Sequence, residues 1–191
     1  EQFIQLEAIG QDGYIGQGER VTKDSVITNV KPLLVYDSIV VNPSKTLTIE
    51  EGVVFYMKKD ASLRVHGTLK AKGTIEAPII FRTSRFDNIE GNIPYNNAPG
   101  QWDGVYFYSD SYNNLLENVQ VRSATKGLTF FSSGVQLKKA DLINSVVHNT
   151  SEYGIKTSGN RIDAYNCIFT NSKGYLLALY GGEYTFLHCT I

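Results

Sequence analysis

LINSVVHN at residues 142–149, AYNCIFTN at 164–171 and FLHCTI at 186–191 are one element written three times. Ser145, Cys167 and Cys189 hold equivalent places 22 positions apart, and so do Val147, Phe169 and Ile191. Small and apolar residues two apart in each unit mark a short strand with one buried face. A fixed period with no helical pattern inside it predicts a coil of strands and turns, stacked on its neighbours.

Working back from this repeat, Val119 and Val121 correspond to Ser145 and Val147 at an offset of 26, four more than the later period. The extra residues are expected to bulge at FSSGVQLKK (131–139), because corners tolerate insertions and strands do not. Gly127, Gly154 and Gly174, each just ahead of an apolar or aromatic residue, read as matching corners. Earlier still, strands of three to five residues follow one another from Leu34, and Gly52, Gly67 and Gly73 close them where a corner needs positive φ or close backbone approach. Residues 84–101, SRFDNIEGNIPYNNAPGQ, break the rhythm and read as an inserted loop. Residues 1–33 lack the period and read as an N-terminal cap, the device that covers the first edge of an open stack. The expected organisation is a cap over 1–33 and a solenoid over 34–191 of six or so coils. Ile191 falls at an inner strand, so the edge there is expected to continue into further coils or to be covered by another chain.

Composition narrows the function classes. The chain has 191 residues, a formal charge of −1, and Lys and Arg scattered singly, which argues against the basic stripe of a nucleic-acid partner. No apolar run approaches the roughly 20 residues of a membrane-spanning helix. Twelve Tyr and nine Phe beside 17 Gly suit a strand-and-turn protein. Cys167 and Cys189, one coil apart, read as stacked buried thiols rather than a disulfide.

Two segments carry a family resemblance: TLTIEEGVVFYMKKDASLRVHGTLKAKGTIEAPIIFRT (46–83), and the later repeat together with GQWDGVYF (100–107). They resemble right-handed parallel β-helix proteins of the pectin-lyase-like superfamily, and most of all uncharacterised cell-envelope members, often lipoproteins, of Gram-negative bacteria. The resemblance implies an all-β, single-stranded right-handed parallel β-helix and an exported protein at the cell envelope or outer surface.

Enzymes on this fold supply a natural hypothesis, a polysaccharide lyase or glycoside hydrolase, but no catalytic residue announces itself. The adjacent Asp pairs, Gly-His-Gly and Arg-x-Lys of polygalacturonase-like enzymes are missing, and Asp103, Asp110, Glu117, Asp141, Glu152, Asp163 and Glu183 occur singly. His188 occupies the place of Asn144 and Asn166, which makes it a corner residue more than a metal ligand. No metal and no cofactor are expected. Asn149 and Asn171 read as an internal ladder, which would leave the formal sequon at Asn149 inaccessible. The residues that point outward from packing are aromatic. Trp102, Tyr95 and Tyr112 are expected to border a glycan-binding groove, since pyranose faces stack on rings. The expected role is a non-enzymatic surface scaffold or glycan-binding module whose partner is a polysaccharide.

Overall fold

Strands this short, each ending in a residue that accepts positive φ, turn the chain every few residues and lay each coil on the last. The computed structural model describes residues 14–15, 19–89 and 92–191. They form a parallel solenoid of about seven turns of about 22 residues.

The first coil holds β1 (Tyr14–Ile15), β2 (Glu19–Val21) and β3 (Ser25–Ile27), and the second β4 (Leu33–Val35), β5 (Ser38–Val41) and β6 (Thr46–Ile49). The third holds β7 (Val54–Met57), β8 (Ser62–Val65) and β9 (Thr68–Lys72). In the fourth, β10 (Ile79–Thr83) is separated from β13 (Trp102–Phe107) and β14 (Asn114–Glu117) by a small antiparallel pair, β11 (Asn88–Ile89) and β12 (Ile93–Pro94). The fifth holds β15 (Val119–Arg122), β16 (Ala124–Phe130) and β17 (Gly134–Ile143). The last two have β18 (Val146–Thr150) with β19 (Tyr153–Tyr165), and β20 (Ile168–Ser172) with β21 (Tyr175–Leu187). The opening strands of the coils build a seven-stranded sheet; the remaining faces merge into a twelve-stranded one, because β19 and β21 run through the corner unbroken.

Like stacks on like inside. Leu63, Val105, Leu128 and Ile155 form one column by register, and Leu116, Leu142 and Ala164 another. Phe55 and Phe81 stack at 4.6 Å with their planes 2° apart, and Phe107 and Phe130 at 4.6 Å and 10°. Burying each such side chain contributes about 1.5–3 kcal/mol, and this continuous column is what holds the coils together.

Three features differ from the sequence reading or sharpen it. β1–β3 lie within the stretch assigned to a cap, yet Tyr14 pairs with Leu34, Arg20 with Val40 and Val26 with Thr48, so they form a coil of their own. Among the described residues it has a neighbour on one side only, and Glu19, Arg20 and Val26 are exposed on it, so the apolar alternation that betrays inner coils is weak there. Residues 1–13 and 16–18 of the assigned cap lie outside the described residues. The bulge at 131–139 is present: register slips between Gly134 and Lys138 and again between Lys138 and Ala140. Gly174 is not the partner of Gly154, since Tyr175 pairs with Tyr153 and Leu177 with Ile155.

Corners explain the asparagines. Asn118, Asn144, Asn166 and His188 carry φ of 50°, 49°, 54° and 55°, and Ser123, Asn149 and Asn171 repeat the device at the next corner. Asn171 Nδ2 donates to Asn149 Oδ1 one coil below, so the ladder exists, and Asn149 is only 6% exposed. Asn144 is exposed, so its conservative replacement isolates the backbone preference. Asn144→Ala is expected to lower stability by about 1 kcal/mol and Asn144→Gly by less; urea titration followed by circular dichroism measures both. Cys167 is buried, Cys189 is partly exposed, and both thiols are free.

Candidate functional site

Alternation along β15 sends Val119 and Val121 inward and leaves Gln120 and Arg122 on the outer face. Parallel register then assembles columns from residues far apart in the chain. One runs Ile80, Gln120, Val146, Ile168. Beside it, Tyr56 pairs with Arg82, Arg122 with His148 and His148 with Thr170, and Arg82 follows Phe81 as Arg122 follows its partner Val121. The corner asparagines add a third column. Columns lie about 6.6 Å apart and rungs about 4.8 Å apart. Along the corner runs a groove of about 260 Å³ lined by Ile75, Pro78, Asn118, Asn144, Asn166 and Ile168.

The insertion after β10 walls the other edge. Its 3₁₀ turn, Tyr95–Asn97, is pinned where Ser123 Oγ donates to the Asn96 carbonyl, and the chain rejoins the stack through Gln101 N–H to the Ser123 carbonyl at 2.8 Å. Phe86 leans on Tyr56 with centroids 5.3 Å apart, and the Arg82 guanidinium sits 5.1 Å from the Phe86 ring and 5.5 Å from Tyr56. Around the neck, a cleft of about 370 Å³ is lined by Lys58, Lys59, Ser84, Arg85 and Gln101. Arg85 covers the Tyr95 ring at 3.4 Å and donates Nε to Asp87 at 3.0 Å.

Two guanidiniums stand on neighbouring rungs of this face. Among the described residues no carboxylate pairs with Arg82 or Arg122, whereas Arg85, Lys72, Lys126 and Lys138 all have carboxylate partners. Arg122 Nη2 donates to Gln120 Oε1, but its Nε is buried without a hydrogen-bond partner, a situation that costs about 1–3 kcal/mol. Burial, and then Arg82, pull the Arg122 pKa below its ordinary value. Burial, and then Arg122, do the same to His148, against a smaller opposing contribution from Asn149.

The three aromatic residues expected at one groove are dispersed. Trp102 is 1% exposed; its Nε1 donates to the Arg122 carbonyl at 2.7 Å and its ring stacks toward Phe81 at 6.4 Å. No ring face remains for a sugar, which corrects the placement of Trp102 at a groove: it opens β13 on the inward side and fills the core. Tyr95 belongs to the insertion before β13, and Tyr112 to the turn after it, so six residues of strand, about 20 Å, separate their corners. At the far corner Tyr112 donates its hydroxyl to the Ser133 carbonyl at 3.3 Å, and the Lys139 ammonium lies 5.4 Å from its ring. His66 Nδ1 meets Asp110 at 3.1 Å there and stacks on Tyr108 at 4.0 Å.

On the third face, Lys138 Nζ reaches Asp141 at 2.9 Å and Asp163 at 2.7 Å. Burial works to raise the Asp163 carboxyl, but Lys138, Thr185 and Arg161 outweigh it and leave it below the ordinary range. Among the described residues no group of three or more His, Cys, Asp or Glu is placed to hold a metal, and no helix is long and apolar enough to cross a membrane. The Arg82–Arg122–His148 column was missed by sequence reading. Its signal lay at the outward position next to the inner residues Val121, Val147 and Phe169.

A family model described as "Right handed beta helix region" matches residues 15–191. The chain belongs to that family, and its coils are those of a right-handed β-helix. Protein bark beetle of Drosophila melanogaster is 29% identical over 137 residues, which cover 58% of this chain and 4% of that protein. The chain thus spans a small part of the length of the curated relative it matches. No solved structure matches it.

Proposed function

We propose that this β-helix is a non-enzymatic module, exported or displayed at the cell surface, that binds a glycan along the outer face of the seven-stranded sheet. The observation that carries the reading is the triple column: aliphatic Ile80, Val146 and Ile168 between a row of corner amides and a row that holds the guanidiniums of Arg82 and Arg122. Pyranose rings present C–H faces to aliphatic side chains and hydroxyls to amides, and a face repeating every coil suits a polymer of repeating units. Export and surface display rest on the resemblance of residues 46–83 and the later repeat to cell-envelope β-helix proteins.

Affinity electrophoresis through gels containing soluble polysaccharides tests the binding. At least one polysaccharide is expected to retard the protein, and Ile168→Asp, at a position already 41% exposed, is expected to weaken that retardation about tenfold while leaving the fold intact. Failure of every polysaccharide to retard the protein would overturn the reading. Intrinsic fluorescence is a poor reporter, because Trp102 is sealed in the core.

A lyase or hydrolase reading needs carboxylates free to exchange protons at a sugar. The nearest arrangement, Asp141 and Asp163, is closed around Lys138, and a carboxyl held below its ordinary pKa is a poor general acid. Incubation with any retarding polysaccharide is therefore expected to release no new reducing ends and no unsaturated products.

A further inference from the structure

We propose that the sheet face recognises an anionic group, a carboxylate or sulfate carried on the glycan, held between Arg82 and Arg122. The inference rests on the glycan reading of the same face and adds the chemistry of the ligand. Arg82 and Arg122 stand on adjacent rungs, about 4.8 Å apart along the solenoid, with like charge and no carboxylate on either among the described residues. Every outward residue of β7, β10, β15, β18 and β20 is neutral or basic, so the sheet itself offers no counter-ion.

Both guanidiniums are fixed before any ligand arrives. Arg82 lies against the rings of Tyr56 and Phe86, and Arg122 is tethered to Gln120. Fixed forks of N–H donors match planar or tetrahedral oxyanions, and little rotamer freedom is lost when they bind. The insertion contributes Phe86 to this arrangement, which gives its break in the repeat a role: it sets one wall of the anion position and clamps Arg82. A net charge of −1 over the chain means that a preference for polyanions has to come from this local arrangement, since global attraction does not supply one.

The test uses pairs of polymers that share a backbone: carboxymethylcellulose against hydroxyethylcellulose, and dextran sulfate against dextran. Isothermal titration at two salt concentrations is expected to show one charged polymer binding at least tenfold tighter than its neutral partner. The pair that responds distinguishes carboxylate from sulfate. Arg82→Gln and Arg122→Gln are each expected to remove most of that preference by lowering affinity for the charged polymer far more than for the neutral one, whereas Ile168→Asp weakens both alike. Circular dichroism verifies the fold of each variant, and if Arg122→Gln fails to fold, Arg82→Gln decides alone. Equal binding of charged and neutral polymers overturns the anion inference and leaves the glycan reading standing. Retention of the preference by a folded Arg82→Gln also overturns the inference. Absence of binding by all four polymers overturns the inference, and the gel panel separately decides the glycan reading.

Discussion

Phe81→Ala is expected to destabilise the protein by about 3–5 kcal/mol. Phe81 is 1% exposed, lies parallel to Phe55 at 4.6 Å, and packs toward Trp102 of the same coil at 6.4 Å. Its backbone pairs on both sides, with Phe55 in the coil before and Val121 in the coil after. Those ladders hold the strand where it is, so the hole left by the ring cannot close by moving the backbone, which is the circumstance that makes a cavity costly. Position along the stack adds to the effect. In a solenoid each coil contacts chiefly its neighbours, and a weakened fourth coil uncouples those before it from those after it. Equilibrium denaturation is expected to show a lower midpoint, and a broadened or two-step transition if the halves separate. The same truncation at Leu177, only partly buried in the last coil, is expected to cost distinctly less. A loss below about 1 kcal/mol at Phe81 would mean that the interior is far more plastic than its stacking implies.

The repeat at 142–191 carried enough information to give the coil, its inner strand and its corners, because each of these is set within one period. Ser145 under Cys167, Asn149 under Asn171 and His188 in line with Asn166 all follow from one spacing. The binding face does not lie within a period. Arg82, Arg122 and His148 come from three coils; the offset of 26 between Val121 and Val147 already aligns the last two, but aligning Arg82 needs the length of the insertion at 84–101, which the pair Phe81–Val121 supplies only once the chain is folded. Scattered single cations in the sequence thus become a column in space. Trp102 misled for a related reason. It follows a polar loop and precedes a register shift at Gly104 and Val105, so alternation read back from VYFY does not tell which way it points.

Lys139→Ala is expected to cost about 2–4 kcal/mol, and the pH profile identifies why. The second register slip leaves Lys139 without a partner between Lys138 and Ala140, and its side chain turns inward until none of it is exposed. There the ammonium donates to the Tyr108 carbonyl and, at 2.9 Å, to Ser133 Oγ, while Asn114 Nδ2 donates to the Lys139 carbonyl at 2.9 Å. Alanine empties that space and removes one of the two hydrogen bonds to the Tyr108 carbonyl, which keeps the Ser111 N–H at 3.0 Å. Burial pulls the Lys139 pKa down to about 8 from the ordinary 10.5, with Asp110 opposing. Between those values the unfolded chain binds more protons than the folded one, so stability rises with pH across the window, by at most about 1.4 kcal/mol per unit. Cys167 acts in the opposite sense. Burial raises its thiol to about 11 from 9.0, so the unfolded chain ionises first and stability falls as pH climbs through that range. Tyr106, raised by burial and by its hydrogen bond to Asp103, adds to the fall above its ordinary value of 10.0. The rise from Lys139 and the fall from Cys167 offset each other between about pH 9 and 10, so stability reaches a plateau there and falls above it, where Tyr106 joins Cys167. Lys139→Met keeps the packed volume and removes the charge; it is expected to stay within about 1 kcal/mol of the parent at pH 7, since replacing a buried ion by a hydrophobe of similar size is often neutral. Its profile is then expected to lose the rise from pH 8 to 9 and to fall from about pH 9, where the parent is flat. Melting temperatures of the parent and Lys139→Met, taken in half-unit steps from pH 6.5 to 10.5, read both limbs. A rise that persists in Lys139→Met would assign it to another group and leave Lys139 a neutral spacer.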